Sequence, residues 1–112
     1  MSSLAVYQNY VHGQYMPNST GETFEVINPA TGKVNYLVET ADEVIQQAAV
    51  KSAHSGFSKW SAMTAIERSR ILLKAVALLR ENNDELAEVE VLDTGKPWQE
   101  ASVVDVVTGA DS

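Results

Sequence analysis

The residues able to do chemistry are few, and their spacing decides how to read them. The 112-residue chain has no cysteine, which removes thiol nucleophiles, thiolate metal sites and disulfides together. Its two histidines are His12 and His54. Neither has a serine and an acid in a recognisable triad arrangement along the chain, so both are expected to be solvated side chains and not catalysts. Thr31-Gly32-Lys33 and Thr94-Gly95-Lys96 look like the tail of a phosphate loop. Both lack the upstream glycine and the strand-to-helix setting that would let backbone amides wrap a phosphate. The first is expected to be a turn, the second a helix stop. A G-x-G-x-x-G dinucleotide fingerprint is also missing.

The acidic run Asp84, Glu85, Glu88, Glu90, Asp93 is mostly a helix start and a solvated face, where carboxylates suit the dipole. Asp93 is different. It lies four residues after Val89 and seven after Leu86, on the same helical stripe, and should therefore point inward. It also sits in the last turn, where the dipole presents negative charge. Such a carboxylate needs a compensator. Lys96 could reach back, amides of the Thr94-Gly95 turn could donate, or a hard cation such as K⁺, Na⁺ or Ca²⁺ could bind it with backbone carbonyls.

These residues have to be positioned by a β-like front and a helical back. Tyr7 to Val11 and Tyr15-Met16 flank His12-Gly13-Gln14, a tight hairpin turn. Thr23 to Ile27 and Val34 to Val38 read as further strands around the turn Asn28 to Lys33. Short antiparallel strands over 1–39 are the expectation. Helix is predicted from about Thr40, where Thr40-x-x-Glu43 has capping-box spacing. Val44, Ile45, Ala48, Ala49 and Ser52 share one face of it, and Gly56 should end or fray it. Thr64-x-x-Glu67 is a second capping box, opening a helix to about Asn82. A third helix follows Asn82-Asn83-Asp84 and stops at Gly95 with Pro97 behind it. Trp98 to about Thr108 reads as a fourth. The apolar content of the second helix is broad (Ile66, Ile71, Leu72, Ala75, Val76, Leu78, Leu79) and implies partners on more than one side.

Composition narrows the class. Fifteen acidic against eight basic residues leave a net charge of −7, which argues against nucleic acid. The first ten residues lack the pattern of a signal peptide. No run approaches the roughly 18 apolar residues of a membrane span. The Asn18-Ser19-Thr20 triplet fits the glycosylation pattern by chance. A soluble cytoplasmic α/β protein without nucleic-acid or membrane partners is expected. Several apolar faces have no evident cover, so the chain reads as the opening segment of a larger protein.

Ile27-Asn28-Pro29-Ala30-Thr31-Gly32, the Trp60 region, Glu67 through Leu72, and Glu85-Leu86-Ala87 continuing through Leu92-Asp93-Thr94-Gly95-Lys96-Pro97 resemble, in order and spacing, the N-terminal stretch of the aldehyde dehydrogenase superfamily. Val11-His12-Gly13 and Asp105 through Asp111 look most like its bacterial betaine aldehyde dehydrogenase branch. The resemblance implies a fold of β-hairpins followed by about four helices, with residues 1–112 as the N-terminal part of an NAD-binding domain (strands over 1–39, helices over 40–112). It implies NAD⁺-dependent oxidation of betaine aldehyde to glycine betaine, an osmoprotectant. The family uses a cysteine nucleophile, a glutamate base and an amide oxyanion hole. These are expected beyond this chain, which would carry no catalytic and no cofactor-binding residue. The resemblance also implies a structural K⁺ held by the backbone carbonyls of Val26 and Ile27 and the side chain of Asp93. Many relatives have threonine at the position of Val26, a change that a carbonyl ligand tolerates. The implied partners are the remainder of the dehydrogenase chain and further subunits of a homo-oligomer. Two other readings stand beside it: a noncatalytic module that docks on full-length subunits, and an autonomous metal-binding domain.

Overall fold

The computed structural model describes residues 3–112, so Met1 and Ser2, part of the stretch read above as lacking a leader, lie outside it. The chain divides into two compact units, one of residues 1–27 with 34–62, the other of 28–33 with 63–112.

The first unit begins with strands β1 (Val6–Tyr7), β2 (Asn9–Val11) and β3 (Gln14–Met16). β2 and β3 form the expected hairpin, with Tyr10 opposite Tyr15. Its two-residue turn is His12-Gly13, with φ of 54° and 80°. Positive φ at both positions matches the twist of the flanking strands. The Tyr10 and Tyr15 rings meet edge to face at 5.2 Å. β4 (Thr23–Ile27) and β5 (Val34–Glu39) pair antiparallel, also as expected, in a sheet of order β1-β5-β4. β1 departs from the all-antiparallel expectation: it pairs parallel to β5, Val6 with Leu37 and Tyr7 with Val38. Alternation along a strand sets its faces but not the direction of its partner, which here is more than 25 residues away in sequence.

Helix α1 spans Glu43–Ala62. Its start corrects the capping box assigned to Thr40 and Glu43. The Thr40 amide donates to Glu22 O at 3.0 Å, so this residue is tied to the strand region and not to the helix. Asp42 caps instead, Oδ1 accepting from the Ile45 amide at 3.0 Å. Its Oδ2 accepts from both the amide and the hydroxyl of Ser19 at 2.8 Å. Asn18 anchors the same loop: its amide donates to Glu39 Oε1 at 2.7 Å and its Nδ2 to Thr40 O at 2.9 Å. Gly56 lies inside α1, which runs on for six residues. Glycine costs about 1 kcal/mol in a helix, and with no proline nearby that cost does not terminate it. Of the expected apolar face, Ile45, Ala48 and Ser52 turn inward, whereas Val44 and Ala49 are exposed. The inward stripe is narrower because the strands cover only one side.

The hydrogen bonds from Ser19 and Ile45 hold the Asp42 carboxyl below the usual carboxylate range. Stability from a depressed acid is present above its unfolded pKa and lost as pH falls through the folded one. Asp42→Asn is therefore expected to lower the thermal midpoint by several degrees at neutral pH. The gap to wild type should begin to narrow as pH falls below about 4, the ordinary carboxylate value, and close only below the lowered folded value. Circular-dichroism melts across that range check it, and a gap independent of pH would refute the assignment.

In the second unit, α2 (Ala65–Glu81) opens with the expected capping box. Glu67 N donates to Thr64 Oγ1 at 3.2 Å, and Thr64 N donates to Glu67 Oε2 at 2.8 Å. α3 (Asn83–Thr94) follows and stops at Gly95 in the left-handed conformation, again as expected. The fourth helix begins at Trp98, as expected, and runs without a break to Asp111; its middle is a wide π-helical segment, Glu100–Asp105, followed by α4, Val106–Asp111. Ala87, Ala101 and Ala110 are buried where α3, the π segment and α4 meet. No residue of α2 is buried, and Ile66, Leu72, Leu73 and Leu78 are exposed. That agrees with the reading that its apolar faces expect further partners.

Candidate functional site: the Asn28–Lys33 turn and the end of the third helix

The turn is built from local hydrogen bonds. Asn28 O accepts from the Gly32 amide at 2.8 Å, the Asn28 amide donates to Lys33 O at 2.9 Å, and Asn28 Oδ1 accepts from the Ala30 amide at 2.9 Å. The asparagine side chain thus mimics a backbone carbonyl, the reason this residue favours turns. At the end of α3, the Gly95 amide donates to Val91 O at 2.9 Å and Thr94 Oγ1 donates to Glu90 O at 2.7 Å. The two segments touch. A Cβ at Gly95 would lie 3.0 Å from Pro29 Cγ and 3.3 Å from the Ala30 nitrogen. The turn therefore sits on the one residue of the helix end that has no side chain. Sequence reading assigned Gly95 only a C-cap role; its part as a seat for Pro29 had no local signal.

Both Thr-Gly-Lys triplets take the roles expected of them, turn and helix stop. Lys96 Nζ donates to Asp105 Oδ2 at 2.7 Å and lies 3.8 Å from Glu90 Oε1. The hydrogen bond to Asp105 raises the Lys96 pKa. Asp93 is exposed, where an inward carboxylate was expected. The stripe it shares with Leu86 and Val89 is itself exposed, so facing the same way as those residues does not bury it. Val26 and Ile27 end β4, and the register with β5 shifts between them: Val26 pairs with Tyr36 but Ile27 with Val34. Such an irregularity is where ladder pairing lapses. The carbonyls of Val26 and Ile27 and the carboxylate of Asp93 are hard oxygen donors of the kind an alkali or alkaline-earth cation takes. Among the described residues, no three His, Cys, Asp or Glu side chains cluster as a metal site.

The histidines are exposed, as expected. The structure adds one partner that spacing did not reveal: His12 Nδ1 lies 2.9 Å from Ser52 Oγ, forty residues away. Both line a groove of about 670 Å³ between the hairpin and α1, together with Val11, Tyr15, Met16, Ala48 and Lys51. The pair is open to water, so it lacks the dry surroundings that strengthen such contacts in catalytic sites. Its effect is to fasten the hairpin to the helix.

The family model for the aldehyde dehydrogenase family matches residues 15–112. The chain belongs to the aldehyde dehydrogenase family. Betaine aldehyde dehydrogenases from two strains of Vibrio vulnificus, YJ016 and CMCP6, are each 56% identical to it over 108 residues. That match covers 96% of this chain and 22% of each relative, so the chain spans about a fifth of their length. Among solved structures, an NAD⁺ complex of an aldehyde dehydrogenase from Bacillus cereus superposes with a TM-score of 0.87 at 37% identity, over 95% of this chain and 22% of that one. An indole-3-acetaldehyde dehydrogenase gives 0.85 at 33% identity, over 97% and 26%. The short strands and helices of this aldehyde dehydrogenase chain are thus the N-terminal part of the family's α/β fold. No helix among the described residues is long and apolar enough to cross a membrane.

Proposed function

We propose that this chain is the N-terminal part of the cofactor-binding domain of a cytoplasmic, NAD⁺-dependent betaine aldehyde dehydrogenase. The observation that carries this reading is the 56% identity over 108 residues to the two Vibrio enzymes. In it the chain supplies scaffold, while the nucleophile, the general base and the nucleotide contacts come from the rest of a homo-oligomeric subunit. The absence of cysteine agrees with that division, since a family nucleophile must be a thiol. The Val26 and Ile27 carbonyls with Asp93 would hold a structural K⁺ in the complete subunit, which supplies charge compensation and no chemistry. The oxygen donors and the register shift in β4 support this assignment.

The purified chain is expected to produce no NADH from betaine aldehyde and NAD⁺, while the same segment joined to the remaining four-fifths of a Vibrio relative restores turnover. Turnover by the chain alone would overturn the division of roles. An inactive but folded chimera would overturn the scaffold assignment. The exposed apolar residues of α2 support a second reading, a noncatalytic module that docks on full-length subunits. Reading the gene beyond codon 112 separates the two: continuation into a nucleotide motif and a cysteine supports the first, and a stop codon the second.

A further inference from the structure

A π-helical turn is wider than an α-turn, packs less well along its axis and is rare; it amounts to one extra residue within an α-helix. Here the pattern is explicit, because the Val106 amide donates five residues back, to Ala101 O. Something must keep residues 100–105 from closing to the tighter ladder. The amides of Glu100 and Ala101 both reach Pro97 O, at 3.1 and 3.2 Å, which anchors the start of the segment. In its middle, Asn83 Nδ2 donates to Ser102 O at 3.0 Å, from the first turn of α3 and nineteen residues away. The orientation of that amide is determined, since a flip would set Oδ1 against the Ser102 carbonyl. Asn83 Oδ1 itself is buried and has no hydrogen-bond partner among the described residues.

We infer that Asn83 is a register lock: by holding the Ser102 carbonyl it keeps the wide turn open and so decides which face of residues 106–111 packs against α2 and α3. Loss of the extra residue would rotate everything after the segment by about 100°. Ala110 would leave its buried position, and Asp111 would leave Arg80, to which it is ion-paired. Asp105 would leave Lys96 in the same movement. The competing explanation is that these ion pairs hold the turn open and Asn83 only follows. They are partly exposed pairs, however, and such pairs contribute little.

The test uses the isotopically labelled chain, reading backbone carbon shifts over 100–111 and the titration of the Lys96 ammonium. With Asn83→Ala, the shifts over 100–105 should move to ordinary α-helical values, and the Lys96 midpoint should fall back toward that of a free lysine. Lys96→Met should leave the shifts over 100–105 in place. Deleting Val103 in the Asn83→Ala background should restore the wild-type shifts over 106–111, because the extra residue is then gone by design. Unchanged shifts with Asn83→Ala, or conversion to an α-helix with Lys96→Met, would overturn the lock. Should Asn83→Ala unfold the second unit, rescue by the Val103 deletion still supports it, and failure of that rescue rejects it.

Discussion

Gly95→Ala should destabilise the second unit by about 2–5 kcal/mol, more than an ordinary helix-terminal substitution. Two costs add. Gly95 has φ of 74°, a left-handed conformation that costs an L-residue roughly 1–2 kcal/mol. The new methyl would also meet Pro29 Cγ at 3.0 Å and the Ala30 nitrogen at 3.3 Å. The second of those atoms is backbone within a hydrogen-bonded turn, so it cannot swing aside as a flexible side chain would. Overpacking of this kind costs roughly 1–3 kcal/mol. Gly21 and Gly32 are internal controls: their φ values are 71° and 73°, but a Cβ at either meets nothing within 4 Å. Their alanine variants should show only the conformational part. Urea midpoints of the three variants measure the difference directly. Equal losses at all three positions would mean that the Pro29 contact yields without cost, and that the turn is not seated on the helix end.

Ile45→Ala is the counterpart in the first unit. Ile45 is 2% exposed, and among the described residues the other buried hydrophobic ones are alanines. The packing of α1 on the strands is therefore concentrated in one side chain, and truncating it should cost about 2–4 kcal/mol, the usual range for a large aliphatic cut to alanine. Val44, next in sequence and of similar character, is 63% exposed. Val44→Ala should stay within about 0.5 kcal/mol of wild type. Hydrogen exchange of the β2 and β3 amides, the hairpin that α1 contacts, reports the effect locally. Comparable losses for the two variants would show that Val44 is covered in solution and that the inward stripe is wider than Ile45, Ala48 and Ser52.

What the sequence determined by itself was whatever lies within about four residues. Thr64 and Glu67 make a capping box because both ends of the exchange sit on one turn. Gly95 stops α3 because only the local backbone has to turn left-handed, and His12-Gly13 turns the hairpin for the same reason. The order of family motifs was legible too, since it requires matching along the chain and no knowledge of contacts. Tertiary structure decided the choices between local options of similar energy. Asp42 rather than Thr40 caps α1 because Glu22 takes Thr40 and Ser19 supports Asp42. β1 runs parallel to β5, a direction that alternation does not encode. Lys96 turns to Asp105, and the helix around Asp105 is wide because Asn83 arrives from another element. The inward position expected of Asp93 from periodicity does not hold, because a stripe buries its residues only where another element covers it, and Leu86 and Val89 on that stripe are exposed too. The cation proposed at Asp93 therefore rests on the family resemblance and the oxygen donors, because spacing along the chain sets the stripe of a residue and not what covers it.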